Sequence, residues 1–168
     1  MKKSILSFLG NIKYEEGNRR DQLIDFNNSI ELNPDDAMAY CARGYALASF
    51  GDFERAVGDF SKAIELDPAY AEAYVTRGLA RIVLGDYGGA AQDSAIAIEL
   101  DPAYAEAYVT RGLARRNLAD YKGAVRDLNR AIRTNSYLFQ KHYNSGSAKS
   151  ELGDYVGAIY DFDSAVEL

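Results

Sequence analysis

One cysteine, Cys41, and one histidine, His142, occur in 168 residues, and tryptophan is absent. A lone cysteine excludes an internal disulfide and a cysteine zinc cage. A lone histidine leaves a histidine metal site, or a Ser–His or Cys–His pair, hanging on a single residue. No enzymatic activity, cofactor or metal is therefore expected. Long apolar runs are missing too. The apolar stretches are broken by charge and fall far below the ~20 residues that span a bilayer. Near the N-terminus Ile5, Leu6, Phe8 and Leu9 are followed at once by Asn11, Lys13, Glu15 and Glu16, which suits an amphipathic helix rather than a cleaved signal. The expectation is a cytoplasmic chain without a membrane partner. There is no basic excess: 19 Lys and Arg stand against 25 Asp and Glu, a net charge of −6, so nucleic acid is not an expected partner. With 48% apolar and 26% charged residues the composition is globular rather than disordered.

Proline is scarce as well, and its three positions are informative: Pro34, Pro68 and Pro102 lie 34 residues apart. The segment from Asp67 to Arg81, DPAYAEAYVTRGLAR, recurs letter for letter from Asp101 to Arg115. The period extends without gaps into units 3–36, 37–70, 71–104, 105–138 and 139–168, read as a single array over 1–168. The eighth position of each unit is glycine: Gly10, Gly44, Gly78, Gly112 and Gly146. The twentieth is alanine in four units, Ala56, Ala90, Ala124 and Ala158, and Gln22 in the first.

Each unit reads as two helices. In the second unit apolar spacing predicts one helix from Ala37 to Ser49 and another from Phe53 to Leu66. Gly51-Asp52 breaks them, the glycine supplying a left-handed turn and the aspartate a cap. Asp67-Pro68 ends the second helix, because the residue before proline leaves helical geometry. Ala119-Asp120 is a weaker version of the same turn. A mid-helix glycine costs ~1 kcal/mol relative to alanine, so its recurrence points to close packing, with Gly44 against Ala56 and with Tyr40 and Phe60 beside them.

These residues resemble the tetratricopeptide repeat, whose signature is W-x2-L-G-x2-Y, then A-x3-F, then P. The second unit offers Tyr40-x2-Arg43-Gly44-x2-Leu47, then Ala56-x3-Phe60, then Pro68. Arginine replaces the expected leucine at Arg43, Arg77 and Arg111, and Ser136 replaces proline in the fourth unit. The resemblance implies an all-α fold: a right-handed α-solenoid of five stacked 34-residue helix-turn-helix repeats. It also implies a concave groove lined by the first helices and a role in binding peptides or proteins.

The family's groove positions are the second, fifth, ninth, twelfth and thirteenth of each first helix. They assign the binding site to Met38, Cys41, Tyr45, Val75, Leu79, Ile82, Val109 and Leu113, an apolar strip, with Arg116 beside it. The expected ligand is a protein or peptide segment, apolar in its middle and acidic toward the fourth unit, where Arg116 would meet a carboxylate. Unit four carries seven basic against three acidic residues, +4, and unit three −3. The alternative is that the strip packs against neighbouring repeats. The lysine–asparagine clamp that one branch uses for chaperone tails is not matched: the fifth and ninth positions are Ser7 and Asn11, Cys41 and Tyr45, then Val75 and Leu79.

Arg43, Arg77 and Arg111 stand sixteen residues before Asp59, Asp93 and Asp127. Folding at the turn brings each pair level, so an ion pair is expected within units two, three and four. Leu9 and Ser145 replace the arginine in units one and five, leaving Asp25 and Asp161 alone. An exposed pair of this kind is worth only ~0–1 kcal/mol. A row of arginines offered to an acidic ligand is the other reading. The last helix, with Ile159, Phe162, Ala165 and Val166, has no following helix to cover it. That suggests end-to-end self-association or a segment of a longer protein. A binding scaffold is the leading expectation; a homo-oligomerisation module and a regulatory segment of a larger protein or enzyme stand beside it.

Overall fold

A computed structural model describes residues 19–134, 150 and 153–159. Seven helices are bounded among them, in order: α1 Arg19–Leu32, α2 Ala37–Ser49, α3 Phe53–Leu66, α4 Ala71–Leu84, α5 Tyr87–Leu100, α6 Ala105–Asn117 and α7 Tyr121–Thr134; residues 155–159 are helical too. No strand occurs among the described residues. The connections are two to four residues long, too short for anything but antiparallel neighbours. Helices pack in chain order, α2 on α3, α4 on α5 and α6 on α7, and the pairs stack through α3 on α4 and α5 on α6. First helices also touch the next first helix, α2 to α4 and α4 to α6. The architecture is an all-α solenoid.

The punctuation works as its chemistry dictates. Asp36, Asp52, Asp86 and Asp120 accept hydrogen bonds from the first-turn amides of α2, α3, α5 and α7. These carboxylates satisfy donors that the helix itself leaves orphaned. α4 and α6 open on Tyr70 and Tyr104 without a side-chain cap. Their approach is shaped instead by Asp67 and Asp101, which accept from the amides of Ala69 and Ala103, and by Tyr74 and Tyr108, which donate to the carbonyls of Pro68 and Pro102. Gly51 and Gly85 take the left-handed turn at φ 86°, and Ala119 is held in the same region at φ 62°. The weaker turn of the fourth unit is thus bent as the others are, with a β-carbon to accommodate.

Small residues set the distance between helices. A β-carbon at Gly44 would lie 2.7 Å from Phe60 Cε1, and one at Gly112 would lie 3.0 Å from Leu128 Cγ. At Gly78 the nearest atom is Thr110 Cγ2 at 3.2 Å, from the next first helix. Ala56, Ala90 and Ala124 are wholly buried. Gly44→Ala and Ala56→Leu should each destabilise by about 1–3 kcal/mol through overpacking. At Gly44 the gain in helix propensity returns up to ~1 kcal/mol, so Ala56→Leu should show the larger drop in thermal midpoint. Unchanged midpoints for both would mean a loose interface.

The Arg–Asp pairs form as spaced. The guanidiniums of Arg43, Arg77 and Arg111 each grip their aspartate with two hydrogen bonds of 2.7–3.0 Å. The low energy expected of an exposed pair needs correction, because Asp59, Asp93 and Asp127 are only 7, 2 and 4% exposed. Two further contacts were not anticipated. Arg81 and Arg115, one turn after Arg77 and Arg111, also reach Asp93 at 2.8 Å and Asp127 at 2.6 Å. Each pairing arginine also lies 5.6–5.7 Å from the ring centre of the tyrosine three residues earlier, close enough for a cation–π contact. Arg43 and Arg77 additionally donate to Asn27 and Ser61 of the preceding second helix, linking adjacent units. These guanidiniums are occupied internally and are not an open arginine row. Asp25 is exposed, with no ion pair among the described residues.

Ile159, expected at an uncovered end, is instead buried at 1% exposure beside the equally buried Ala158. Both join the buried core cluster. Phe162, Ala165, Val166, Asp161, Ser145, His142, Gly146, and Leu9 and Gly10 of the first unit lie outside the described residues.

Candidate functional site: the first-helix face

The assigned strip is not an open surface. Cys41, Val75, Leu79, Ile82 and Val109 are 1–3% exposed, Leu113 is buried as well, and all six belong to the core. The physical reason is the stacking of α2, α4 and α6. Each first helix meets the next, and the fifth-, ninth- and twelfth-position side chains from Cys41 to Leu113 are drawn into the core rather than left on a surface. Of the nine assigned residues, Met38 is 70% exposed, and Tyr45 and Arg116 are half-buried.

Over this apolar layer lies a second one made of tyrosine and glutamate. The Tyr45 hydroxyl donates to Glu72 Oε1 at 2.8 Å, joining α2 to α4. Tyr70 and Tyr104 are half-buried and pack against the core. Burial raises the pKa of all three phenols. Glu72 adds to the rise at Tyr45, Cys41 and Glu72 at Tyr70, and Glu72 and Glu106 at Tyr104. They therefore remain protonated hydrogen-bond donors across the physiological range. On the first-helix face Met38 is exposed, and Tyr45, Ser49, Glu72, Val83, Glu106, Arg116 and Asn117 are half-buried. Second, ninth and thirteenth positions fall within ~40° of one another on a helix of 3.6 residues per turn. That periodicity places them together; which of them are covered depends on the distance between neighbouring first helices.

Cys41 sits beneath this layer. Burial pushes its thiol up to about 11, with hydrogen bonding to Tyr70 opposing and the nearby Glu72 charge adding. A buried, protonated thiol is a poor nucleophile. Native protein at pH 8 should react with a thiol reagent more than about tenfold slower than the chain in denaturant. The raised pKa also means that the unfolded chain loses this proton first. Its stabilising contribution should be intact below the ordinary value of 9.0 and decline as pH rises toward about 11. Fast native alkylation would show that the seam over Cys41 is open.

The fold and this face define a helical-repeat solenoid that offers the surface of its first helices. Two family models, each described as the tetratricopeptide repeat, match residues 37–70 and residues 105–137. The Arabidopsis OM64 TPR domain is 30% identical, covering 60% of this chain and 84% of that one, at a TM-score of 0.59. The second TPR domain of human RPAP3, solved with the HSP70 peptide SGPTIEEVD, is 29% identical, covering 60% of this chain and 83% of that one, at a TM-score of 0.58. MamA from Desulfovibrio magneticus is 24% identical, covers 90% of this chain and 86% of that one, and has a TM-score of 0.72, a likeness of fold. No curated protein matches the sequence. The chain belongs to the tetratricopeptide repeat family.

Among the described residues no helix is long and apolar enough to cross a membrane. Sequence reasoning missed Glu72 bridging to Tyr45, and it missed Tyr70 and Tyr104. The duplicated segment carries a signal for these: each copy starts D-P-A-Y-A-E, which sets a tyrosine and a glutamate at the head of α4 and of α6.

Proposed function

We propose that the chain is a non-enzymatic protein-interaction module that holds a peptide or protein segment along its first-helix face. The observation that carries this reading is the layered build of that face. A sealed apolar seam supports a surface of phenol, carboxylate and thioether groups, fixed between helices by the Tyr45–Glu72 hydrogen bond. A rigid aromatic-polar surface is suited to recognition because little order is lost when a partner docks. Membership of the repeat family supports it, as does the peptide complex of the RPAP3 domain.

The ligand chemistry differs from a carboxylate clamp. The clamp's fifth and ninth positions in the second and third units are Cys41 and Tyr45, Val75 and Leu79, and three of these four are sealed in the core. The contact set is therefore Met38, Tyr45, Glu72, Val83, Glu106 and Arg116. An apolar side chain of the ligand meets Met38 or Val83, and an acidic portion lies toward Arg116 in the fourth unit. A single array of five units over 1–168 and a cytoplasmic setting, where the lone thiol stays reduced, belong to the same reading.

A peptide array probed with the full chain and with Met38→Glu/Val83→Glu tests it. Binders should be lost from the variant while its circular dichroism stays native. Binders retained by a natively folded variant would place the binding surface elsewhere.

A further inference from the structure

Units three and four are copies over the first eleven residues of their first helices but not in their second helices. From Asp67 to Arg81 and Asp101 to Arg115 nothing differs. Along α5 and α7 much of the inner face is kept, with Gly89 and Gly123, Ala90 and Ala124, Asp93 and Asp127, Ala97 and Ala131 matched, while the buried Ser94 gives way to Leu128. The outer row is replaced entirely. Gly88, Gln92, Ile96 and Glu99 of α5 correspond to Lys122, Arg126, Arg130 and Arg133 of α7, and all eight positions are exposed. Four uncorrelated residues have become four cations.

The geometry of that row is simple. Steps of four, four and three residues keep the side chains within ~80° of helix surface and spread them along ~16 Å. No ion pair reaches any of the four among the described residues. Elsewhere the chain supplies local counter-charges: Arg55 meets Asp52, and Lys62 meets Glu65. On α7 the one aspartate, Asp127, is buried and already held by Arg111 and Arg115. Arg130 is partly positioned, its guanidinium 5.9 Å from the Tyr108 ring centre. Like charges one turn apart destabilise a helix by a few tenths of a kcal/mol per pair, ~0.2–0.5. No carboxylate among the described residues balances the row, although the Tyr108 ring beside Arg130 and the C-terminal end of α7 beside Arg133 each favour a cation.

We propose that the outer row of α7 is a second docking surface, separate from the first-helix face, and that its occupant is an acidic amphipathic helix of a partner protein. Charge complementarity carries the choice of sign: unit four is +4 in a chain of net −6. Spacing carries the choice of helix. Carboxylates three and four residues apart on a helix repeat at the same ~5–6 Å as the cations they face. Exposed apolar groups carry the choice of protein over nucleic acid. Leu118 and Tyr121 lie exposed at the head of α7, where an amphipathic helix finds contacts that a phosphate backbone does not offer. The negative field of the rest of the chain further disfavours a polyanion larger than the row.

The test uses the full chain and a fluorescent, alanine-based helical peptide with glutamates four residues apart and one leucine-bearing edge. The variant is Lys122→Gly/Arg126→Gln/Arg130→Ile/Arg133→Glu, which installs the residues that α5 already carries on the same frame. Anisotropy should show binding by the native chain that weakens steeply with salt, and a loss of about tenfold or more in the variant. A milder pair, Arg126→Gln/Arg130→Gln, should give an intermediate loss and serves if the fourfold variant does not fold. Met38→Glu/Val83→Glu should leave peptide binding unchanged, separating this surface from the first-helix face. The proposal is overturned if the native chain does not bind the peptide, or if the α7 variants bind it as the native chain does. It is also overturned if duplex DNA of equal charge binds the native chain as tightly.

Discussion

Arg43→Met lowers folding stability by about 3–5 kcal/mol, near the lower figure because the arginine is part-exposed. Asp59 is buried and among the described residues meets only Arg43, through bonds of 2.7 Å from both Nε and a terminal nitrogen. Removing the cation leaves a carboxylate out of water and uncompensated. Arg77→Met should cost less, although Asp93 is the more deeply buried acid, because Arg81 still holds it at 2.8 Å. The second unit has Leu47 where the others place Arg81 and Arg115, so it has no such reserve. Urea midpoints of the two variants, compared at matched slope, check the order. Adding Asp59→Leu to Arg43→Met should recover much of the loss, since replacing both members of a buried pair by apolar groups is often tolerated. Equal losses at Arg43 and Arg77 would mean that the second arginine contributes nothing.

Leu79→Asp abolishes the native fold around α4, costing about 4 kcal/mol or more. At 2% exposure the new carboxylate is taken out of water into the apolar core. On a groove-facing reading of the ninth position this substitution would spare the fold and abolish binding. Its burial reverses that. Met38→Asp is the contrast: the residue is 70% exposed in the first turn of α2, where an acidic group suits the helix dipole. Its stability should change by no more than about 0.5 kcal/mol. Circular dichroism and thermal melting of the two variants separate the cases. A native melt for Leu79→Asp would show that the seam opens readily.

Much of the fold was legible because the repeat states it several times over. The fifteen-residue identity, the glycine at every eighth position and the Asp–Pro exits locate helices whose observed ends agree with the spacing. The Arg–Asp pairing was legible for a similar reason: sixteen residues across one turn permit a single antiparallel register. Its strength was not, because burial of Asp93 depends on what Arg81 and Tyr74 place around it. That signal was present as an arginine one turn on and a tyrosine one turn back. The site was less legible. Helical periodicity says which side chains of α2, α4 and α6 share a face. It does not say how closely adjacent first helices approach, and that distance decides whether Leu79 and Val109 are contact surface or core. The Tyr45–Glu72 bond crosses between units at a separation of 27 residues, beyond the reach of any pattern within one unit.

Hydrogen–deuterium exchange of the full chain, with and without an array-selected peptide, tests the central claim most directly. The account predicts added protection in α2, α4 and α6, strongest around Met38, Tyr45 and Glu72. Added protection confined to the second helices, with α2, α4 and α6 unchanged, would contradict it.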